Sequence, residues 1–344
     1  MLLWLKQCHL SNTQKFETNP FFSTLFAWRP DALEIDRSDR KYIDQITLKN
    51  YFINQGRRVA IIILKYIIFD FICEWAEAYQ PIVPDRFYVL RFIDYFFTGK
   101  PFITPFYLFY HYALAVMLYI YISLFYDFFL FCYGLLLLPL LQINQSTQNS
   151  IDKVSESQHK FQLFKPSTIK GIKEWLIILL FYTKVPMNLP FMSTSPRDFW
   201  SKRWHSVLRE IFLYLGYVPT KNLFGNHKKI GNIFGTFSAF FVSGLLHEYI
   251  VYCMWGARPG EQMIFFLFHS ILFILWEIVE GLLIGNRTVS HKAENNWGRW
   301  LFKLLLFNII GVFTIPSFME PYLRNESFSC VMRFGLFHNT VKCD

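Results

Sequence analysis

Charged residues are scarce in this chain, 17% of the sequence, where a soluble domain carries about a quarter. That shortage, with 53% hydrophobic and 20% aromatic residues, excludes an ordinary soluble globular protein. Cysteine is sparse as well: Cys8, Cys73, Cys132, Cys253, Cys330 and Cys343 show neither metal-ligand spacing nor a dense disulfide framework. They are read as reduced thiols, and neither a metal nor a cofactor is expected. No internal repeat occurs, which speaks against the inverted repeats of many transporters. The opening MLLWLKQCHL is too short for a signal-peptide core and has no small-residue cleavage site. The first membrane helix is expected to act as the insertion signal.

What the sequence has is apolar length. Several runs reach the roughly 20 residues that cross a bilayer as a helix. The expected fold is therefore all-α, a multi-pass transmembrane bundle of about seven spans. The first span is expected at 58–76, interrupted by Lys65 and Asp70. Residues 103–143 suit two helices with a tight turn near Tyr126-Asp127-Phe128-Phe129. Pro186 and Pro190 predict that 174–192 is broken or re-entrant. Further spans are expected at 230–256, 262–285 and 298–323. Between them lie a polar N-terminal segment (1–57), an interfacial stretch (77–102), a Ser/Gln/Asn-rich loop (144–173), a polar insertion (193–229) and a polar tail (324–344). Net charge is +9, from 34 basic and 25 acidic residues. The basic residues sit between apolar runs, as juxtamembrane charges or contacts to an anionic ligand would. No basic-aromatic module is present, so no nucleic-acid partner is expected.

Two polar stretches interrupt this pattern. The first, FVSGLLHEYIVY (241–252), sets His247 and Glu248 inside an apolar run. An ionisable side chain at membrane depth is expensive and faces a protein interior or a watery cavity. A buried histidine bonded to a neighbouring group is the plain alternative, and Ser243 one turn earlier offers a partner. On an ideal helix Glu248 points about 100° away from His247. It is expected to bond a neighbouring helix rather than polarise the imidazole. Gly231 and Gly235, spaced GxxxG, would permit close packing or leave room for a ligand.

The second stretch is STSPRDFWSKRWHSVLRE (193–210). Ser195 with Asp198 three residues on, and Pro196 between them, predict a helix start. Trp200, Trp204, Leu208 and Ile211 would share one face, and Ser201, Lys202, His205 and Arg209 the other. Such a helix could lie among lipid headgroups. Alternatively its N-terminus, flanked by Arg197, Lys202 and Arg203, could receive phosphates.

The order SPRDFWSKRWH, then FFVSGLLHEYIVY about forty residues later, resembles the membrane-bound O-acyltransferases. It is most similar to their plant and fungal wax-synthase-like branch. The resemblance covers about 170–320. It implies a helical enzyme of the endoplasmic reticulum membrane, spanning 58–323 and enclosing an intramembrane tunnel. Its essential histidine would be His247, with His205 as a second catalytic candidate. Asp198, Trp200, Lys202, Arg203 and Trp204 would lie near the acyl-CoA entrance, with Ser243 also lining the substrate site. Acyl-CoA and a lipophilic alcohol are the implied substrates, and membrane lipids the surroundings. The FYxDWWN box of diacylglycerol and sterol acyltransferases is missing, which favours a long-chain alcohol over those acceptors. A terpenoid or sterol alcohol acetylated by a short donor is the alternative. Proteins of that branch often begin with more hydrophobic helices than 1–57 offers, so a shortened start is expected.

A neutral imidazole suits acyl transfer, because it can take the hydroxyl proton as oxygen attacks a thioester. No serine or cysteine with a paired base is apparent, so direct transfer is expected. The reading from another class is a transporter using Asp70, Asp127 and Glu277 as a proton relay.

Overall fold

A computed structural model describes residues 46–99, 103–150, 166–182, 185–205, 208–256, 260–284 and 297–324. Among these, 86% are helical and no strand occurs. The long helices are α1 (Leu48–Ala78), α2 (Tyr88–Thr98), α3 (Pro105–Ser150), α4 (Pro166–Ile177), α5 (Lys228–Trp255), α6 (Glu261–Ile284) and α7 (Trp297–Leu323). The chain is an integral membrane protein. Four described segments are long and apolar enough to cross a bilayer: Pro105–Gln142, Lys228–Cys253, Glu261–Leu282 and Trp297–Leu323.

The expectation of about seven spans thus reduces to four among the described residues, and each difference has a local cause. Residues 58–76 lie within α1, which begins earlier, at Leu48. Arg58, Lys65, Asp70 and Glu74 crowd that stretch with charge. Residues 103–143 form one helix, not two: α3 runs straight through Tyr126–Phe129. No glycine or proline breaks it there, and Asp127 is neutralised by an ion pair with Lys65. Residues 174–192 break as the prolines predict: α4 passes into a π-turn at Ile178–Tyr182, and 187–189 are not helical. The expected loop at 144–173 is helical at both ends, while 151–165 lie outside the described residues. The expected tail, beyond Arg324, lies outside them too.

Two compact units emerge, each with its own core. In the unit containing residues 120–185, Tyr51, Leu130, Leu137, Leu141, Leu176 and Leu180 pack together. Tyr51 Oη donates to the Gly134 carbonyl at 2.9 Å, and Lys65 Nζ donates to Ser123 Oγ at 2.6 Å beside Asp127.

The other unit holds residues 70–119 and the described residues from Pro186 onward, and it carries the candidate site. Its centre is the α5–α6 pair, where Phe240 packs on Phe265 and Phe266, joined by Trp200, Phe273 and Phe318. Small residues set the closeness. A Cβ on Gly244 would sit 2.9 Å from Met263 Sδ and 3.3 Å from its Cα, and one on Gly235 would sit 2.9 Å from the Tyr217 carbonyl oxygen. The GxxxG pair therefore serves packing. Exchanging Gly244 for valine should push α6 away and lower the melting temperature of the detergent-solubilised protein by several degrees (about 1–3 kcal/mol for overpacking). An unchanged transition would mean the contact is loose. On the opposite side of α6, Phe268, Ile271, Leu275, Ile278 and Leu282 are exposed at three- and four-residue steps, as a lipid-facing stripe would be.

A buried charge cluster ties the ends of this unit. Glu320 is fully buried; Arg91 from α2 and Tyr107 from α3 donate to one carboxylate oxygen, and Arg324 Nη2 donates to the other at 2.8 Å. Arg324 also pairs with Glu261 at the start of α6.

Candidate active site

The polar insertion begins as its sequence predicts. Ser195 is the N-cap, its Oγ accepting from the Asp198 N–H at 3.1 Å, with Pro196 in the first turn. The amphipathic helix expected beyond it does not continue. After Pro196–Asp198 the backbone widens into a π-turn at Phe199–Arg203, closed by Trp204 N–H on the Phe199 carbonyl at 2.8 Å. Trp204 is extended and His205 adopts φ +45°, a left-handed conformation that reverses the chain. Among the described residues, helix resumes at Arg209. The expected two-faced helix is instead a bent strap around a cavity.

The π-turn also decides where Arg203 goes. One turn of π-helix sets residues five apart side by side, so Arg203 Nε donates to Asp198 Oδ2 at 2.8 Å. Arg203 Nη1 reaches the Asn188 carbonyl at 3.3 Å, and the Arg203 carbonyl accepts from Asn188 N–H at 2.9 Å. Arg203 and Asp198 brace the non-helical stretch after Pro186. Lys202 is exposed. None of these three lines either cavity described below.

Of the expected site residues, His247, His205, Trp200, Trp204 and Ser243 come together. They line a cavity of about 370 Å³ whose wall also includes Ser201, Arg209, Tyr217, Asn232 and Thr236. Arg197 is at this wall too, held by a two-pronged ion pair to Glu277 at 2.8 and 2.6 Å. A second cavity, of about 110 Å³, is mostly aromatic and aliphatic. Trp200, Trp204, His247 and Phe266 belong to both linings. His247 therefore stands where a more polar cavity, of mixed lining, adjoins an almost wholly apolar one.

The orientation of His247 is fixed by the main chain. Its Nδ1 lies 2.8 Å from the Ser243 carbonyl oxygen. A carbonyl can only accept, so Nδ1 carries the hydrogen and the neutral ring keeps its lone pair on Nε2. Phe266 and Phe318 flank the ring, at centroid distances of 4.5 and 5.6 Å.

Glu248 faces elsewhere, as the helix geometry predicts. Its Oε1 accepts from Gly260 N–H and Met263 N–H, both at 2.8 Å, capping α6 with a negative charge where the helix dipole favours one. Replacing Glu248 by alanine should cost about 1–2 kcal/mol of stability, and glutamine should recover most of it. A glutamine variant as weak as alanine would show that charge, not acceptance, matters.

His205 is partly buried at the turn, its ring 5.0 Å from that of Trp204. Burial, aided by the nearby His247, pushes its pKa down to about 4. Its folded value lies below the unfolded 6.5, so acid protonates the unfolded state first. Stability should fall as pH drops from 6.5 toward 4. His205→Gln should flatten the dependence of melting temperature on pH between 7 and 5. An unaltered slope would show that His205 titrates normally.

Sequence reasoning missed His269 on α6. Its Nδ1 lies 2.8 Å from the Phe265 carbonyl oxygen, and its Nε2 lies 3.3 Å from Thr314 Oγ1 on α7. It lines the second cavity with His247. The signal was available, since a histidine in an apolar span is what drew notice to His247.

Residues 185–268 match the membrane bound O-acyl transferase family. This segment holds the strap, His205, His247 and Glu248. The chain is 30% identical over 146 residues to acyl-CoA–sterol O-acyltransferase 1 of Arabidopsis thaliana, covering 40% of this chain and 38% of that protein. It is 29% identical over 126 residues to the long-chain-alcohol O-fatty-acyltransferase of Simmondsia chinensis, covering 33% and 36%. The chain thus spans well under half the length of these relatives. No solved structure matches it.

Proposed function

We propose that this membrane protein is an O-acyltransferase that moves an acyl group from acyl-CoA to a long-chain alcohol, forming a wax ester. The observation that carries the proposal is His247. Its lone pair is held on Nε2 at the junction of a more polar cavity of mixed lining and an apolar one, inside the family-matched segment. In this reading His247 Nε2 takes the hydroxyl proton as the alcohol oxygen attacks the thioester carbonyl carbon. The C–S bond then breaks, and the departing thiolate takes the proton from the imidazolium. His205 assists from the polar side, where its burial favours the neutral form. The two cavities are read as the inner part of a tunnel. The polar one takes the coenzyme end and the apolar one the hydrocarbon. Residence in the endoplasmic reticulum membrane, where lipophilic alcohols collect, completes the proposal.

For the coenzyme phosphates, Arg209 at the polar cavity fits better than Arg203, which braces Asp198 and Asn188. A sterol acceptor is the second reading, favoured by the likeness to a sterol acyltransferase over 146 residues. The deciding experiment supplies membranes containing the protein with labelled acetyl- or palmitoyl-CoA and a mixture of hexadecanol and a sterol. Labelled wax ester is expected. Sterol ester alone would reassign the acceptor, and no ester from any alcohol would end the acyltransferase proposal.

A further inference from the structure

We propose that His269 and Thr314 form a hydroxyl-binding station in the apolar cavity, which holds the acceptor alcohol before it reaches His247. The inference rests on reading this cavity as the acceptor's path.

A hydroxyl stripped of water needs both a donor and an acceptor, and an apolar wall offers neither. Phe191, Phe199, Phe265, Phe307 and Phe318 dominate this cavity. Among its polar members, Asn308 Nδ2 is already engaged, donating to the Phe191 carbonyl at 3.0 Å and to the Leu304 carbonyl at 2.8 Å, while its Oδ1 faces Tyr112 Oη at 3.5 Å. His269 and Thr314 differ. With Nδ1–H given to the Phe265 carbonyl at 2.8 Å, the neutral His269 ring has only an acceptor left, at Nε2. Thr314 has one hydrogen and two takers, the Gly311 carbonyl at 3.2 Å and His269 Nε2 at 3.3 Å. Both distances are long for a hydroxyl donor.

An alcohol hydroxyl set beside the pair, within reach of both atoms, repairs both weaknesses. Its oxygen accepts from Thr314 and its hydrogen goes to His269 Nε2. A thioester carbonyl, having no hydrogen, could satisfy Thr314 alone. The pair therefore selects a protic group, and the only protic group at the reacting end of the two substrates is the alcohol. Space exists beside it, since a Cβ on Gly311 would meet nothing within 4 Å. Trp200 lies against His269, ring centroids 5.7 Å apart, and also lines both cavities with His247. The hydroxyl would pass this ring on its way to the base.

The test is equilibrium binding to the purified full chain in detergent. Labelled hexadecanol and a labelled sterol are each competed against their own methyl ethers, which keep the chain but lose the hydrogen. Wild type should prefer one of the alcohols by roughly tenfold. His269→Leu and the near-isosteric Thr314→Val should lose most of that preference, more than His247→Ala does. The threonine variant serves if His269→Leu melts at markedly lower temperature. A preference lost in His247→Ala but kept in both other variants would overturn the station. So would a wild type that binds alcohol and ether alike. Acyl transfer is followed in parallel. A wild type that makes ester while His269→Leu still prefers alcohol defeats this inference alone. Failure of wild type to make any ester defeats the acyltransferase reading instead.

Discussion

His247→Ala should abolish acyl transfer while the protein still inserts and stays in membranes. Removing a general base costs about 10²–10⁴ in rate. The substitution removes one hydrogen bond, to a main-chain carbonyl that solvent or relaxation can satisfy at modest cost. Loss of activity should therefore far exceed loss of stability. The measurement is ester formation per unit of folded protein, with folded protein judged by a sharp detergent-phase melting transition. More than a tenth of wild-type activity would remove His247 from the role of base. His247→Gln provides a further check, because it keeps polarity in the cavity without a basic nitrogen. It should be as inactive as alanine.

Glu320→Ala is expected to be the most damaging change to the fold. It would take the shared carboxylate from Arg91 and Arg324 in a buried site, leaving Arg324 its pair with Glu261, and would deprive Tyr107 of its acceptor. Breaking a buried ion pair from one side costs about 3–5 kcal/mol, a large part of the whole stability of a typical domain. Little of the protein should survive extraction. Glu320→Gln retains an acceptor but not the charge and should fall between the two. If Glu320→Ala melts within two or three degrees of wild type, water or lipid headgroups must be solvating the arginines.

The sequence made local features plain and hid those that depend on distant partners. The Ser195 cap and the direction of Glu248 follow from spacing along one helix, and both are present. The break after α4 follows from Pro186 and Pro190. The unbroken passage of α3 through Asp127 does not, because Lys65, more than sixty residues away, neutralises that carboxylate. The pairing of Arg203 with Asp198 was hidden for a different reason. A helix wheel assumes 3.6 residues per turn, and the π-turn here pairs residues five apart. The bend at His205 is likewise invisible to periodicity, since histidine carries no strong signal for positive φ. The pairing of His269 with Thr314 crosses two helices whose register no motif records. Asp127 and Glu277, candidates for a proton relay, are each occupied by an ion pair.

The hydrogen bond that orients His247 ends on the backbone of residue 243, not on its side chain. Every amino acid supplies the same carbonyl at that place in a helix. Position 243 can therefore drift in evolution, or be varied in a library, without unsettling the imidazole's tautomer. What such variation would alter is the wall of the larger cavity, where the Ser243 side chain lies. In the proposed reaction, the cavity wall and the imidazole's tautomer are thus separately mutable at one residue. That makes position 243 a natural first choice for retuning the chemistry of the cavity wall by directed evolution.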